Sequence, residues 1–183
     1  GREITVRYKD EERGIMAPHD AVSQVDEQVE ALIRRRLAAR HPGHAVLGEE
    51  GGHSGPASSR FTWTIDPVDG TTNFVNGHPL YASAIGVLMD GCPIAGAIWC
   101  ATSHALRPGV YHAHAGGRFQ FDGVAVSSAS RATSGLQRRV STAPAPFKLH
   151  EPGWDHRGLG AIALESAFVA GGLLASARTA RAR

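Results

Sequence analysis

The sequence predicts an α+β protein in which helices pack on a mainly antiparallel sheet, and three observations lead to this prediction. One amphipathic helical segment lies in the N-terminal part of the chain, before a series of short strands. Tight-turn signals such as Asp90-Gly91 and Asp122-Gly123 join those strands, and strands joined by hairpins form antiparallel sheets. A second, apolar helix is expected over residues 161–174, after a Pro-rich loop.

The composition is typical of a globular protein. Of the 183 residues, 42% are hydrophobic and 20% are charged, which allows one domain with a good core. The net charge of +2 is too small to indicate nucleic-acid binding.

Because no segment has the length of a membrane span and the N-terminus lacks a signal peptide's apolar core, we expect a cytoplasmic protein without a membrane partner. Cys92 and Cys100 are expected to be free buried thiols.

The N-terminal helix is predicted to begin at Ser23. Ser23 and Asp26 resemble a capping box, with Asp in place of the usual Glu or Gln. Apolar residues then recur at helical spacing and predict one buried face, formed by Val25, Val29, Leu32, Ile33 and Leu37. His41-Pro42-Gly43 is expected to end the helix.

The strongest functional signal follows an apolar run in the middle of the chain. The run 61–65 is predicted to be a buried strand that ends at Asp66, because Pro67 cannot continue a central ladder. Asp69 follows across a tight turn that can direct both carboxylates into one pocket. Gly70-Thr71-Thr72 adds an open backbone and two hydroxyls, which suit phosphate oxygens. These residues indicate metal-assisted phosphate chemistry, although Pro-Val-Asp-Gly is also an ordinary β-turn sequence.

A longer ordered string extends this signal. It consists of Gly48-Glu49-Glu50, the segment Trp63–Phe74, and Gly77-His78-Pro79. The string resembles the inositol monophosphatase family of metal-dependent sugar phosphatases. Two further segments are similar to that family, namely Val22–Asp26 and the helix that contains Phe168–Gly171. The resemblance implies a layered α/β sandwich of the sugar-phosphatase type.

Carried over residue by residue, the resemblance implies a Mg²⁺ site, with hard oxygen ligands of the kind Mg²⁺ prefers. The implied metal ligands are Glu49, Asp66, the backbone carbonyl of Val68, and Asp69. Thr71 would orient the attacking water, and Glu49 would accept its proton. The implied substrate-binding residues are Glu49, Val68, Asp69, Gly70, Thr71 and Thr72.

Several other positions admit two interpretations. Asp26 is either an outer acid of the site or a simple N-terminal helix charge, and Lys9 is either near the site or a surface residue. His112 and His114 share one face of a strand and could bind a metal, but a polar sheet face is the preferred interpretation. Trp154-Asp155 is interpreted as a loop that matches a family motif by coincidence.

The resemblance implies a Mg²⁺-dependent phosphomonoesterase that acts as a homodimer on inositol monophosphate or a related small polyol or sugar phosphate. The family's late Trp-Asp-x-Ala-Gly segment has no counterpart before Arg183, so a truncated relative that binds metal or a partner with little activity is the alternative. A histidinol-phosphate or fructose-bisphosphate phosphatase is a further alternative. We therefore expect an N-terminal metal- and phosphate-binding α+β domain over 1–127, and a partial α/β domain with an incomplete second sheet over 128–183.

Overall fold

The computed structural model describes residues 6–8, 21–126, 139–142 and 154–178. The predicted domain boundary at 127/128 and Lys9 lie outside these residues. The helices are α1 (Gln24–Arg40), α2 (Thr71–Val75) and α3 (Ile162–Ala170). The strands are β1 (Val6–Tyr8), β2 (Ala21–Ser23), β3 (Ala45–Gly48), β4 (Gly52–Ser54), β5 (Phe61–Asp69), β6 (Ala82–Met89), β7 (Cys92–Cys100), β8 (Gly109–His114), β9 (Gln120–Phe121), β10 (Val124–Ala125), β11 (Arg139–Thr142), β12 (Trp154–Arg157) and β13 (Ser176–Ala177).

The main sheet has eight strands in the order β10-β9-β8-β7-β6-β5-β3-β4. Its neighbouring strands are antiparallel except β3 and β5, which are parallel. Asp90 and Gly91 have positive φ angles of 49° and 81°, as a two-residue hairpin turn requires, and they join β6 to β7. Asp122 and Gly123 adopt the same conformation between β9 and β10. The predicted mainly antiparallel α+β architecture is confirmed.

Strand β5 is longer than the sequence predicted. It continues through Pro67 to Asp69, and the expectation that it ends at Asp66 is wrong. Its pairing with β6 shifts register between Asp66 and Asp69, so Pro67 lies at an irregularity where the ladder is already interrupted. The bulged strand, rather than a tight turn, therefore sets the directions of the two aspartates.

Helix α1 begins with the predicted capping box at Ser23 and Asp26. The expectation of a buried apolar face is wrong in part, because Leu32 is 39% exposed and the other apolar positions are half-buried. The buried positions of the helix are the polar residues Asp26 and Glu30. Since these residues are four apart, they share one side of the helix, and that side faces the turns that carry the predicted site.

Helix α3 packs on the main sheet and forms the core with it. The core cluster consists of Ala82, Cys100, Tyr111, Phe121, Ala161, Leu164 and Ala167. A second, parallel sheet in the described residues has the order β12-β11-β13. This packing places the N-terminus of α3 beside the end of β5, where the predicted site lies.

Three local expectations are corrected. Trp154-Asp155 belongs to β12, where it pairs with β11, and is not a loop. The Gly- and Ser-rich composition of residues 51–59 favours a flexible loop, but residues 52–54 form β4 because they pair with β3. Cys92 is exposed rather than buried, although both cysteines are free as predicted.

Candidate active site

An open pocket of about 410 Å³ lies over the end of β3 and the middle of β5 and β6. Its lining residues are Leu47, Gly48, Glu49, Thr64, Ile65, Asp66, Ala84 and Gly86. Strand pairing explains this grouping, because Leu47 and Gly86 both pair with Thr64, while Ala84 pairs with Asp66. The pocket therefore joins two of the predicted metal ligands, Glu49 and Asp66, on one face of the sheet.

Asp66 is the most electrostatically perturbed carboxylate of the site. Burial, the nearby charges of Asp69, Glu49 and Asp26, and a hydrogen bond with Glu49 together raise its pKa to about 7, and burial is the largest cause. Its Oδ1 is buried and has no hydrogen-bond partner among the described residues. A buried carboxylate oxygen that lacks a donor and lies among like charges is suited to binding a cation.

Asp69 points to helix α3 rather than into the pocket. Its Oδ1 accepts a hydrogen bond from the backbone N–H of Ile162 at 2.9 Å, and its Oδ2 accepts from Ala163 and Leu164 at 2.7 and 3.2 Å. The residue at the N-cap of α3, Ala161, makes no side-chain cap. Asp69 therefore supplies the missing cap from a distant strand. Burial raises the pKa of Asp69 despite these three donors.

Within the residues that the structure describes, no three His, Cys, Asp or Glu side chains are arranged to hold a metal ion. Asp69 is directed towards α3, and the acidic residues that line the pocket are Glu49 and Asp66.

Thr71 lies at the start of α2 and contacts two other predicted site residues. Its hydroxyl donates to the carbonyl of Val68 at 2.9 Å or to Oδ1 of Asp26 at 3.2 Å. Asp26 is 2% exposed and also accepts the capping hydrogen bond from the backbone N–H of Ser23. The two interpretations of Asp26 are thus compatible, since one oxygen caps α1 and the other reaches Thr71. Sequence reasoning did not predict this pairing.

The turn between β5 and α2 is held against the start of α3. Gly70 has a φ of 83°, and a Cβ at this position would lie 2.9 Å from the Cβ of Ala161. The side-chain amide of Asn73 donates to the carbonyls of Leu80 and Leu159, at 2.6 and 2.7 Å. Thr72 is exposed at the same turn. The segment Gly70-Thr71-Thr72, which the sequence predicts to bind phosphate, therefore lies in a turn that is held by close packing at Gly70 and by the hydrogen bonds of Asn73.

The remaining candidates lie apart from this pocket. His112 and His114 are on β8, and His114 is exposed and near the carbonyl of Ala115. Asp155 is on β12 of the second sheet. Neither strand contributes a lining residue to the pocket.

Comparison with known proteins identifies the family. The sequence matches the inositol monophosphatase family over residues 2–178. The inositol-1-monophosphatase SuhB of Mycobacterium tuberculosis is 49% identical over 92 residues, which cover 47% of this chain and 31% of that protein. The matched region thus spans less than a third of this relative's length.

Solved structures share the fold. The extragenic suppressor protein suhB from Bartonella henselae is 27% identical with a TM-score of 0.72, covering 93% of this chain and 66% of that chain. An IMPase/NADP phosphatase complexed with Mg²⁺ and phosphate has a TM-score of 0.74 at 22% identity, covering 94% and 64%, and agrees at the level of the fold. The family match covers nearly the whole chain, and this chain belongs to the inositol monophosphatase family.

Proposed function

We propose that this chain performs Mg²⁺-dependent hydrolysis of a small phosphate monoester, such as inositol monophosphate or a related polyol or sugar phosphate. The observation that carries the proposal is the buried, unpartnered Oδ1 of Asp66 beside Glu49, in a pocket large enough for a small ligand. Family membership supports the reaction class. Family membership is also the basis on which we propose that the protein is a cytoplasmic homodimer.

In chemical type, the proposed donors suit Mg²⁺. The proposed ligands are Glu49, Asp66, the carbonyl of Val68, and Asp69, which are hard oxygen donors. Oδ1 of Asp69 accepts one N–H and retains a lone pair, and the Val68 carbonyl likewise has capacity beyond its hydrogen bond with Thr71. Mg²⁺ held there would supply Lewis-acid chemistry, polarising the phosphoryl oxygens and lowering the pKa of a nearby water.

The chain's own residues orient the reactants and move the proton. The Thr71 hydroxyl, 3.2 Å from Oδ1 of Asp26, can accept a hydrogen bond from the attacking water while it donates to this carboxylate. Glu49 is proposed to accept the proton of the water. The backbone of Gly70, Thr71 and Thr72 is proposed to hold the phosphate, with Glu49, Val68 and Asp69 completing the substrate site.

A second candidate is a relative that binds metal or a partner with little turnover. The observation that favours it is the engagement of Asp69 with α3, because a metal would have to share this carboxylate with three backbone donors. Histidinol phosphate and fructose bisphosphate are alternative substrates for the first candidate.

The test is phosphate release with Mg²⁺ from inositol 1-phosphate, histidinol phosphate and fructose bisphosphate. We expect release from at least one ester, and its loss in Asp66→Asn. Asp90→Asn is the matched control, since it makes the same chemical change at an exposed turn. If no ester is hydrolysed, the phosphatase proposal is wrong and Mg²⁺ binding without turnover supports the second candidate.

A further inference from the structure

One side of helix α1 reaches the turn that carries Glu49. Glu30 is 2% exposed, and its carboxylate accepts hydrogen bonds from the backbone N–H groups of Glu50 and Gly51, both at 2.8 Å. Nε of Arg34, one helical turn further along, donates to the same carboxylate at 2.7 Å. These three donors satisfy a charge that would otherwise be costly to bury.

Arg34 extends this contact along the turn. Its Nη1 donates to Oγ of Ser54 at 2.6 Å, and its Nη2 donates to the carbonyl of Gly52. The ion pair thus spans the connection from β3 to β4, with Glu30 at its beginning and Arg34 at its end. An ion pair that only stabilises its own helix at i, i+4 requires no contact with another element. The Glu30–Arg34 pair makes such contacts, so it also links α1 to this connection.

The glycines on either side of Glu49-Glu50 make room for the ion pair. A Cβ at Gly48 would lie 2.3 Å from Oε1 of Glu30, and a Cβ at Gly51 would lie 2.8 Å from it. Neither glycine has a positive φ, so backbone conformation does not require glycine at these positions. Glycine suits these two positions because a Cβ at either one would overlap the side chains of Glu30 and Arg34.

We propose that Glu30, supported by Arg34, is a positioning residue that fixes the Glu49-Glu50 turn and so holds the Glu49 carboxylate beside Asp66. Glu49 is anchored from the other side as well, since its N–H donates to the carbonyl of Ile65 at 3.1 Å. The backbone part of this inference stands on geometry alone, and its consequence for Mg²⁺ rests on the proposed function.

Amide hydrogen exchange tests the backbone part without metal or substrate. Glu30→Gln keeps the size of the side chain but replaces one accepting oxygen with an NH₂ group. We expect the Glu50 or Gly51 amide to exchange at least about tenfold faster, while amides of the β5–β6 ladder are unchanged. Glu27→Gln, the same change on the exposed side of α1, should leave both amides protected. Equal protection in Glu30→Gln and the wild type would overturn the proposal.

Direct Mg²⁺ titration by calorimetry tests the consequence for the site. Residues that orient a metal ligand typically change affinity by about 10- to 100-fold, so we expect at least about tenfold weaker Mg²⁺ binding in Glu30→Gln. Phosphate release should then require correspondingly more Mg²⁺, with a smaller change in KM for the ester. Glu30→Asp, which keeps the charge, should recover part of the loss.

The outcomes are distinguishable. If the wild type binds no Mg²⁺, the proposed function fails, whereas the exchange result still decides whether Glu30 fixes the turn. If the wild type binds Mg²⁺ and Glu30→Gln binds it equally well, the positioning role is wrong. Should Glu30→Gln fail to fold, Arg34→Met with exposed Arg35→Met as its control gives the same comparison, and equal Mg²⁺ affinities in that pair contradict the proposal.

Discussion

Replacing Asp66 with Asn should stabilise the metal-free protein while it abolishes Mg²⁺ binding. The carboxylate is partly buried, and the charges of Asp69, Glu49 and Asp26 surround it. In the folded protein its pKa is therefore raised from 3.8 to about 7. The folded state retains the proton between these values, whereas the unfolded state has already released it, so stability falls as pH rises from about 4 to about 7.

The size of the effect follows from this pKa. A difference of about 3 pKa units corresponds to about 4 kcal/mol, and solvent screening at a carboxylate that keeps some exposure reduces the expected gain to about 2 kcal/mol. For a chain of this length, that gain raises the melting temperature by about 4–8 °C. It should be close to zero near pH 4 and complete above about pH 7.

Thermal unfolding of the wild type and Asp66→Asn in chelator, across this pH range, measures the gain. Added Mg²⁺ should stabilise the wild type and leave the variant unchanged, because the variant lacks the cation's ligand. A variant that is less stable than the wild type at about pH 8, or a gain that does not depend on pH, would refute the electrostatic account of the site.

Three further predictions concern the residues that surround Asp66. Asp69→Asn should destabilise the protein by about 1–3 kcal/mol in chemical unfolding, because α3 loses an acceptor for its N-terminal N–H groups, and Ala161→Ser should recover part of this loss by supplying a local cap. Gly70→Ala should cost more stability than Gly91→Ala: both glycines have a positive φ, but only the Cβ at Gly70 meets other atoms, and equal costs would contradict this packing. Thr71→Val should reduce kcat by at least about 100-fold with a loss of stability of about 1 kcal/mol, and full activity in this variant would exclude the Thr71 hydroxyl from the reaction.

Short-range features of this chain could be predicted from its sequence because their causes lie within a few residues. The capping box at Ser23 and Asp26 and the hairpin turn at Asp90-Gly91 depend on side-chain and backbone preferences at adjacent positions. The resemblance of the longer string to the family predicted that Glu49 and Asp66 belong to one site. In the structure, strand pairing places both residues in one pocket.

Long-range features could not be predicted in this way. Asp69 caps a helix that begins 93 residues later, and no local pattern shows which carboxylate will take that role. Glu30 contacts a turn that lies 20 residues away, and no pattern within its own helix shows that contact. A useful signal was the spacing of Asp26, Glu30 and Arg34, which places acidic and basic residues on one stripe of α1. The path of β5 through Pro67 required the bulge that only the paired strand reveals.

The central claim is that Glu49 and Asp66 form the cation-binding part of the site. Calorimetric titration of Mg²⁺ into the wild type, Asp66→Asn and the exposed control Asp90→Asn at about pH 8 tests it most directly. We predict binding to the wild type and to Asp90→Asn, and no binding to Asp66→Asn. Equal binding to all three proteins, or none to the wild type, would contradict the claim.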